Sequence, residues 1–180
     1  MDGQEPGDNE LFARMRAGDE EAFTLLYRRR QSGLFRYALL MCGSRTTAED
    51  VTQEVFLALI RDGGNFDPGR GPLMAYLYGI ARKKVLRCLE REPAQAMDEA
   101  VAEDGPLTQL LKKESIRAVW DAVRLLPVHY REAVVLCELQ EMSYEEAAAA
   151  LGCSVGTIRS RLHRGRGLLG ERLRAEGSLV

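Results

Sequence analysis

The segment from Ser143 to Leu162 constrains the fold more than any other stretch of the chain. It reads Ser-Tyr-Glu-Glu-Ala-Ala-Ala-Ala-Leu-Gly-Cys-Ser-Val-Gly-Thr-Ile-Arg-Ser-Arg-Leu. Ser143 and Glu146 form an S-x-x-E capping box, in which each side chain satisfies a backbone N–H that the first helical turn leaves open. The small residues Ala147 to Ala150 let a second helix cross closely. Gly152 supplies the left-handed conformation that stops the first helix. Ser154 is placed to cap the second. Two short helices joined by so tight a turn make a helix-turn-helix, the unit that lays its second helix in the DNA major groove.

At about 100° per residue, Val155, Ile158 and Leu162 fall on one stripe of that second helix, which must face the core. Thr157, Ser160 and Arg164 point the opposite way, flanked by Arg161 and His163. Arg159 and Arg166 lie nearer the apolar boundary, from which long side chains still reach outward. The outward face therefore offers Arg164 as a bidentate donor for guanine beside the Ser160 hydroxyl, with neighbours that grip phosphate. The alternative is a solvated basic helix with no nucleic-acid role. Charge is placed unevenly along the chain. The net charge of the 180 residues is only -2. Between Arg159 and Arg174, however, six arginines stand against the single acid Glu171.

The remaining sequence is also helical by its spacing, with no sustained period-2 alternation. Asn9 is expected to cap a helix through Leu11, Phe12 and Met15 that stops near Gly18. Asp19 caps the next, and a third is expected from about Gly33 to Cys42. Thr46 or Thr47 opens a fourth, ending before Gly63 and Gly64. A loop from Asn65 to Gly71 leads to Pro72, suited to the first position of a fifth helix that reaches about Arg91. Pro93 to Pro106 is poor in bulky apolar residues and rich in Ala and acid, and reads as a linker. One more short surface helix is the alternative there. Helices are then expected over Leu107 to Leu125, from Pro127 through Cys137, over Ser143 to Leu151, and from Ser154 to about Arg174. The expected fold class is all-α, two small helical domains joined by a linker.

Two helices of the first domain carry functional patterns. Between Thr47 and Ile60, Val51, Val55 and Leu59 share one stripe, and Asp50, Gln53, Glu54 and Leu57 share the opposite face. An acidic face with one exposed leucine suits a partner basic at its rim and apolar at its centre; a solvated acidic face is the alternative. The helix from Pro72 carries Arg82, Lys83, Lys84, Arg87 and Arg91, interleaved with Tyr76 and Tyr78. Cations that follow a backbone and rings that stack on bases suit single-stranded DNA, although the tyrosines serve a core equally well. Phe66 is the candidate wall of a base pocket, or else an anchor for its loop.

No metal site or disulfide framework is expected from Cys42, Cys88, Cys137 and Cys153, which form no CxxC pair, with only His129 and His163 beside them. Small buried thiols are the expectation. No nucleophile, base and pocket combine, so no enzyme and no cofactor is expected. The acidic start MDGQEPGDNE does not read as a signal peptide, and no apolar run approaches a membrane span, so a cytoplasmic protein is expected. A stand-alone regulator binding DNA as a dimer is the competing reading, but it needs an apolar seam beyond Leu168, Leu169 and Leu173.

The segment from Ser143 through Arg164, opened by Leu126-Pro127-Val128-His129-Tyr130-Arg131-Glu132-Ala133, resembles region 4 of the sigma-70 family, most nearly its extracytoplasmic-function (ECF) group. Ala48-Glu49-Asp50-Val51-Thr52-Gln53-Glu54-Val55-Phe56-Leu57 resembles the polymerase-binding helix of region 2, and Tyr76-Leu77-Tyr78-Gly79-Ile80-Ala81-Arg82 resembles its promoter-melting helix. The resemblance implies an alternative sigma factor with region 2 over 1–92, an acidic linker over 93–106 and region 4 over 107–180. It implies that Asp50, Gln53, Glu54 and Leu57 bind the β′ clamp of core RNA polymerase, with the β flap as a second contact. Phe66, Arg70, Tyr76, Arg82, Lys83, Lys84 and Arg87 would meet the minus-10 element. Tyr144, Thr157, Arg159, Ser160, Arg161, His163, Arg164 and Arg166 would meet the minus-35 element. An anti-sigma factor is the implied regulator. The melting helix departs from the family pattern in Tyr76, where Trp is common, and in Lys83, Lys84 and Arg87, which make it more basic. The five acids between Glu92 and Asp104 would mimic RNA phosphates in a basic channel, or simply solvate the linker.

Overall fold

The computed structural model describes residues 5–91 and 108–175. Those residues form eight α-helices and no strand: α1 (Asp8–Arg16), α2 (Glu20–Cys42), α3 (Arg45–Asp62), α4 (Leu73–Arg91), α5 (Thr108–Arg124), α6 (Val128–Val134), α7 (Tyr144–Leu151) and α8 (Val155–Ala175). Two short 3-10 turns, Gly63–Asn65 and Pro68–Arg70, join α3 to α4, and a π turn, Val135–Leu139, prolongs α6. The expected linker over 93–106 lies outside the described residues.

Helices α1 to α4 enclose one core in which Leu11, Leu26, Leu34, Tyr37, Leu59, Leu73 and Leu77 are almost wholly buried. Each such aliphatic side chain contributes about 1.5–3 kcal/mol relative to exposure. Asp19 caps α2 by accepting from the Ala22 N–H at 3.0 Å. That bond and Arg14 beside it hold the Asp19 carboxyl below its ordinary range. The structure corrects three expectations here. First, α2 runs unbroken where two helices were expected. Gly33 sits in its interior at a cost of about 1 kcal/mol relative to Ala, but Leu26, Leu34, Tyr37, Ala38 and Met41 all bury along the helix and outweigh it. Second, α1 is capped by Gly7 without a side-chain bond, and the Asn9 Oδ1 accepts instead from the Leu73 N–H at 2.9 Å, at the start of α4. Third, Ser44 rather than Thr46 or Thr47 caps α3, accepting from the Thr47 N–H at 3.2 Å.

In the second half the helix-turn-helix forms as its residues dictate. Ser143 accepts from the Glu146 N–H at 3.1 Å while Glu146 accepts from the Ser143 N–H at 2.8 Å. Gly152 ends α7 at φ 62°, and Ser154 caps α8 through the Thr157 N–H at 3.1 Å. Ile158 and Leu162 are fully buried, whereas Val155 is half-buried. Gly165 lets α8 close on α6, since a Cβ there would lie 2.8 Å from Val134 Cγ2.

The halves pack on one another, α4 against α7 and α2 against α5 and α6. At the α4–α7 crossing the backbones run close: a Cβ on Gly79 would stand in ordinary van der Waals contact, 3.6 Å from the Ala150 carbonyl oxygen.

Candidate nucleic-acid interface

Helix α8 presents its basic residues opposite the buried stripe. Arg159, Ser160, His163, Arg164 and Arg166 are exposed, while Thr157 and Arg161 are half-buried. The Ser160 hydroxyl donates to the Thr157 carbonyl at 2.9 Å, which leaves its lone pairs outward for an incoming donor. Arg161, expected to flank the outward face, instead tucks one guanidinium nitrogen, Nη1, into the protein, where it makes no hydrogen bond among the described residues. Arg166 is engaged rather than open: its Nε donates to Glu138 Oε1 at 3.0 Å. Glu138, and behind it Tyr144, holds the Arg166 pKa above its ordinary value. Tyr144 is thereby set beside the recognition helix, half-exposed.

The residues before and along α4 form a second surface around a cavity of about 490 Å³. Phe66, Arg70, Tyr76, Arg82 and Lys83 line it from the first half, and Ala149 to Gly152 of the helix-turn-helix close it from the other side. Phe66 meets Phe12 edge-on at 5.2 Å between ring centroids and Tyr76 at 5.3 Å. It therefore anchors the loop and walls the cavity together. Tyr78 is core: 4% exposed, set edge-on to Tyr37 at 5.5 Å, with burial pushing its phenol up to about 12.

Two basic residues expected to be open to DNA are paired within the protein. Arg82 Nε donates to Glu132 Oε1 at 2.6 Å and Arg82 Nη2 to Glu132 Oε2 at 3.4 Å. Burial lowers the Arg82 pKa, and the hydrogen bond and charge of Glu132 outweigh it, so the net shift is upward. Lys84 is ion-paired with Glu54 on α3. Lys83, Arg87 and Arg70 are exposed.

On α3, Val51, Val55 and Leu59 are buried, and Asp50, Gln53 and Glu54 are exposed on the opposite face. Leu57 stands among them 45% exposed. The acidic face with an apolar centre is therefore assembled by the helix alone.

Sequence reasoning did not single out Glu132 and Gln140. The available signal was a charged pair, Arg131 and Glu132, set directly before the apolar run from Ala133 to Cys137. Both are buried, and Arg131 Nη1 donates to the Met41 carbonyl at 2.7 Å, across to the end of α2. No helix among the described residues is long and apolar enough to cross a membrane. No group of three or more His, Cys, Asp or Glu side chains among them is placed to hold a metal ion.

Comparison with known proteins adds to this geometry. The family model for sigma-70 region 2 matches residues 26–93, and that for sigma-70 region 4 matches residues 116–169. The ECF RNA polymerase sigma factor SigE of Mycolicibacterium smegmatis is 35% identical over 149 residues, covering 78% of this chain and 57% of its own length. The ECF RNA polymerase sigma-E factor of Haemophilus influenzae is 33% identical over 183 residues, covering 90% of this chain and 93% of its own length. The chain thus spans little more than half of the first relative and nearly all of the second. Among solved structures, CnrH in complex with the cytosolic domain of CnrY superposes with a TM-score of 0.75 at 28% identity, over 93% of this chain and 97% of that one. The sigma factor RpoE of Bartonella quintana, in complex with the anti-sigma factor NepR, gives 0.66 at 26% identity, over 84% and 96%.

Proposed function

The chain belongs to the ECF group of the sigma-70 family and so acts as an alternative sigma factor in transcription initiation, and on that premise we propose how its surfaces divide the work. The first half, 1–92, binds core RNA polymerase and opens the minus-10 element. The second, 107–180, reads the minus-35 element, and 93–106 connects them. The carrying observation is the construction of α8: an arginine-rich outward face lies opposite the fully buried Ile158 and Leu162. Such a helix offers its long donors to base edges and phosphates without disturbing its packing.

Within α8, Arg164 and Ser160 contact bases, while Arg159, Arg161, His163 and Arg166, with Thr157 and Tyr144, hold the backbone. Around α4, Arg70, Lys83, Lys84, Arg87 and Arg82 follow the nontemplate strand, and Tyr76 and Phe66 receive an unstacked base. Flipping that base costs a few kcal/mol, which a fitted cavity must return. Asp50, Gln53, Glu54 and Leu57 meet the β′ clamp, and the second half meets the β flap. An anti-sigma factor holds the protein inactive, as NepR accompanies its relative.

The test is transcription with purified protein, core polymerase freed of sigma, and a genomic promoter library. Start sites clustered downstream of a shared pair of motifs support the reading. Core binding without any initiation refutes it.

A further inference from the structure

Helix α1 lies behind the candidate base pocket and touches three of the parts that bound it. Asn9, Phe12 and Arg16 recur at helical spacing, so they share one face of the helix. Asn9 caps the start of α4 through the Leu73 N–H. Phe12, 6% exposed, sets its ring edge-on to Phe66. Arg16 lies over the turn before the pocket, where a Cβ on Gly64 would stand 3.1 Å from its Nη1.

The Phe66 ring is thereby fixed from two directions. Tyr76 meets it at 49° between ring planes and Phe12 at 90°. Its backbone is fixed as well, since the Phe66 N–H donates to the Gly63 carbonyl at 3.1 Å. Gly63 has φ -58°, a conformation that any residue adopts. Its backbone therefore does not call for glycine, but Phe12 does: a Cβ on Gly63 would stand 3.0 Å from both Cε2 and Cζ of that ring. One residue thus holds the Phe66 backbone and makes room for the ring that holds its side chain. Tyr78 takes no part, because its hydroxyl donates to Gln140 Oε1 at 2.9 Å and two residues along a helix is a turn of about 200° from Tyr76.

We infer that Phe12 is a positioning residue for promoter melting, which through Phe66 sets the width of the pocket and so selects the unstacked base that is retained. The inference rests on the reading of Phe66 and Tyr76 as the rings that receive that base. A flipped base is read by stacking and by hydrogen bonds to its edge, and both need walls at a fixed distance. Asn65, Asp67 and Arg70 bring polar groups beside the rings. Asp67 Oδ1 accepts from the Gly69 N–H at 2.9 Å, so the loop that carries them folds back directly after Phe66. Phe12 does not itself line the cavity, and it acts only through the ring in front of it.

The test uses holoenzyme assembled from core polymerase and the full chain, with the variants Phe66→Ala, Phe12→Leu and Gly63→Ala. The probe is a forked DNA whose nontemplate strand carries a randomised single-stranded stretch, and bound molecules are recovered and sequenced. Thermal unfolding of each chain alone sets a temperature at which it is folded. The wild type is expected to prefer particular bases within the stretch, and Phe66→Ala to lose that preference at one position. Phe12→Leu is expected to weaken it at the same position by roughly three- to tenfold, the range that an edge-on ring pair supplies. Gly63→Ala, which presses on the Phe12 ring and leaves it in place, is expected to show a smaller loss there. Preferences at the other positions are expected to match the wild type, which a general loss of packing would not allow. A preference kept in Phe12→Leu but lost in Phe66→Ala overturns the inference, as does equal loss at every position. Should Phe12→Leu not fold, a preference kept in Gly63→Ala overturns it instead. Preferences unchanged in Phe66→Ala refute the base-pocket reading itself.

Discussion

Asn9 on α1 accepts a hydrogen bond from the backbone N–H of Leu73, the first residue of α4, at 2.9 Å. Pro72 precedes that residue, so the start of α4 is fixed both by a proline at its threshold and by a cap delivered from another helix. Replacing Asn9 with Ala leaves the Leu73 N–H without this partner and should cost about 1 kcal/mol. Thermal unfolding should show a loss of about 2–4 °C. Asn9→Asp keeps the acceptor and should recover most of the loss. An unchanged melting temperature in Asn9→Ala would show that the cap is dispensable.

Gly165 and Gly167 lie two positions apart on α8 and should respond in opposite directions to alanine. A Cβ on Gly165 would stand 2.8 Å from Val134 Cγ2 and 3.5 Å from Tyr130 Cβ, whereas nothing lies within 4 Å of one on Gly167. Gly165→Ala should destabilise by about 1–3 kcal/mol through overpacking. Gly167→Ala should stabilise by about 0.5–1 kcal/mol through helical propensity alone. Chemical denaturation of both variants measures the pair.

How much of this was legible beforehand follows from the range of each interaction. The cap, stop and stripe of the helix-turn-helix are set by residues within a turn or two of one another and were readable, except that Val155 at the head of the stripe is only half-buried. The face of α3 was readable for the same reason. Gly33 misled because a local propensity of about 1 kcal/mol was set against packing that only the assembled core supplies. Asn9 misled because an amide serves any nearby N–H, and its partner lies 64 residues away. Arg82 and Lys84 looked available because their partners, Glu132 and Glu54, come from other helices. The seam between the halves was invisible in the sequence, since complementarity of two buried surfaces leaves no periodic trace.

The alkaline limb of stability should report buried groups of both halves, Cys42 and Tyr78 in the first and Cys137, pushed up by burial to about 11, in the second. Burial pushes the Cys42 thiol up to about 12 from an ordinary 9.0, with Cys88 adding to the shift and Arg131 opposing it. In the unfolded chain the thiol ionises first, so the unfolded state binds fewer protons above its ordinary pKa. The Cys42 contribution is therefore complete below pH about 9 and is lost as pH rises toward about 12. Cys42→Ala should flatten the fall in unfolding free energy across that window relative to wild type. Tyr78, likewise raised by burial to about 12, should leave a residual slope. A slope unaffected by Cys42→Ala would mean that the thiol is not shielded as described.

Leu57 should separate binding from folding. It is 45% exposed, so Leu57→Ala removes only part of the area a core leucine buries and should cost no more than about 1 kcal/mol of stability. On the proposed polymerase face it is the apolar centre of an acidic rim, the position where truncation commonly costs more than about 1 kcal/mol of binding. Competition for core polymerase against a labelled wild-type chain measures the difference. Equal competition by Leu57→Ala would move the polymerase contact away from this face.

Arg164 and Arg166 test the proposed division of labour on α8. Both are exposed, but Arg166 is already bonded to Glu138, while Arg164 lies at the centre of the outward face beside Ser160. A bidentate base contact by Arg164 predicts that Arg164→Ala costs about 1–3 kcal/mol on the preferred promoter and relaxes preference at one base pair. A phosphate contact by Arg166 predicts a weakening that is uniform across sequences, with the salt dependence reduced by about one ion. Because Arg166 must leave Glu138 to reach phosphate, Glu138→Gln should tighten binding to all sequences alike. These contrasts are read from a panel of single-base promoter variants at two salt concentrations. Retained discrimination in Arg164→Ala would assign base reading to another residue of α8, and lost discrimination in Arg166→Ala would reverse the two roles.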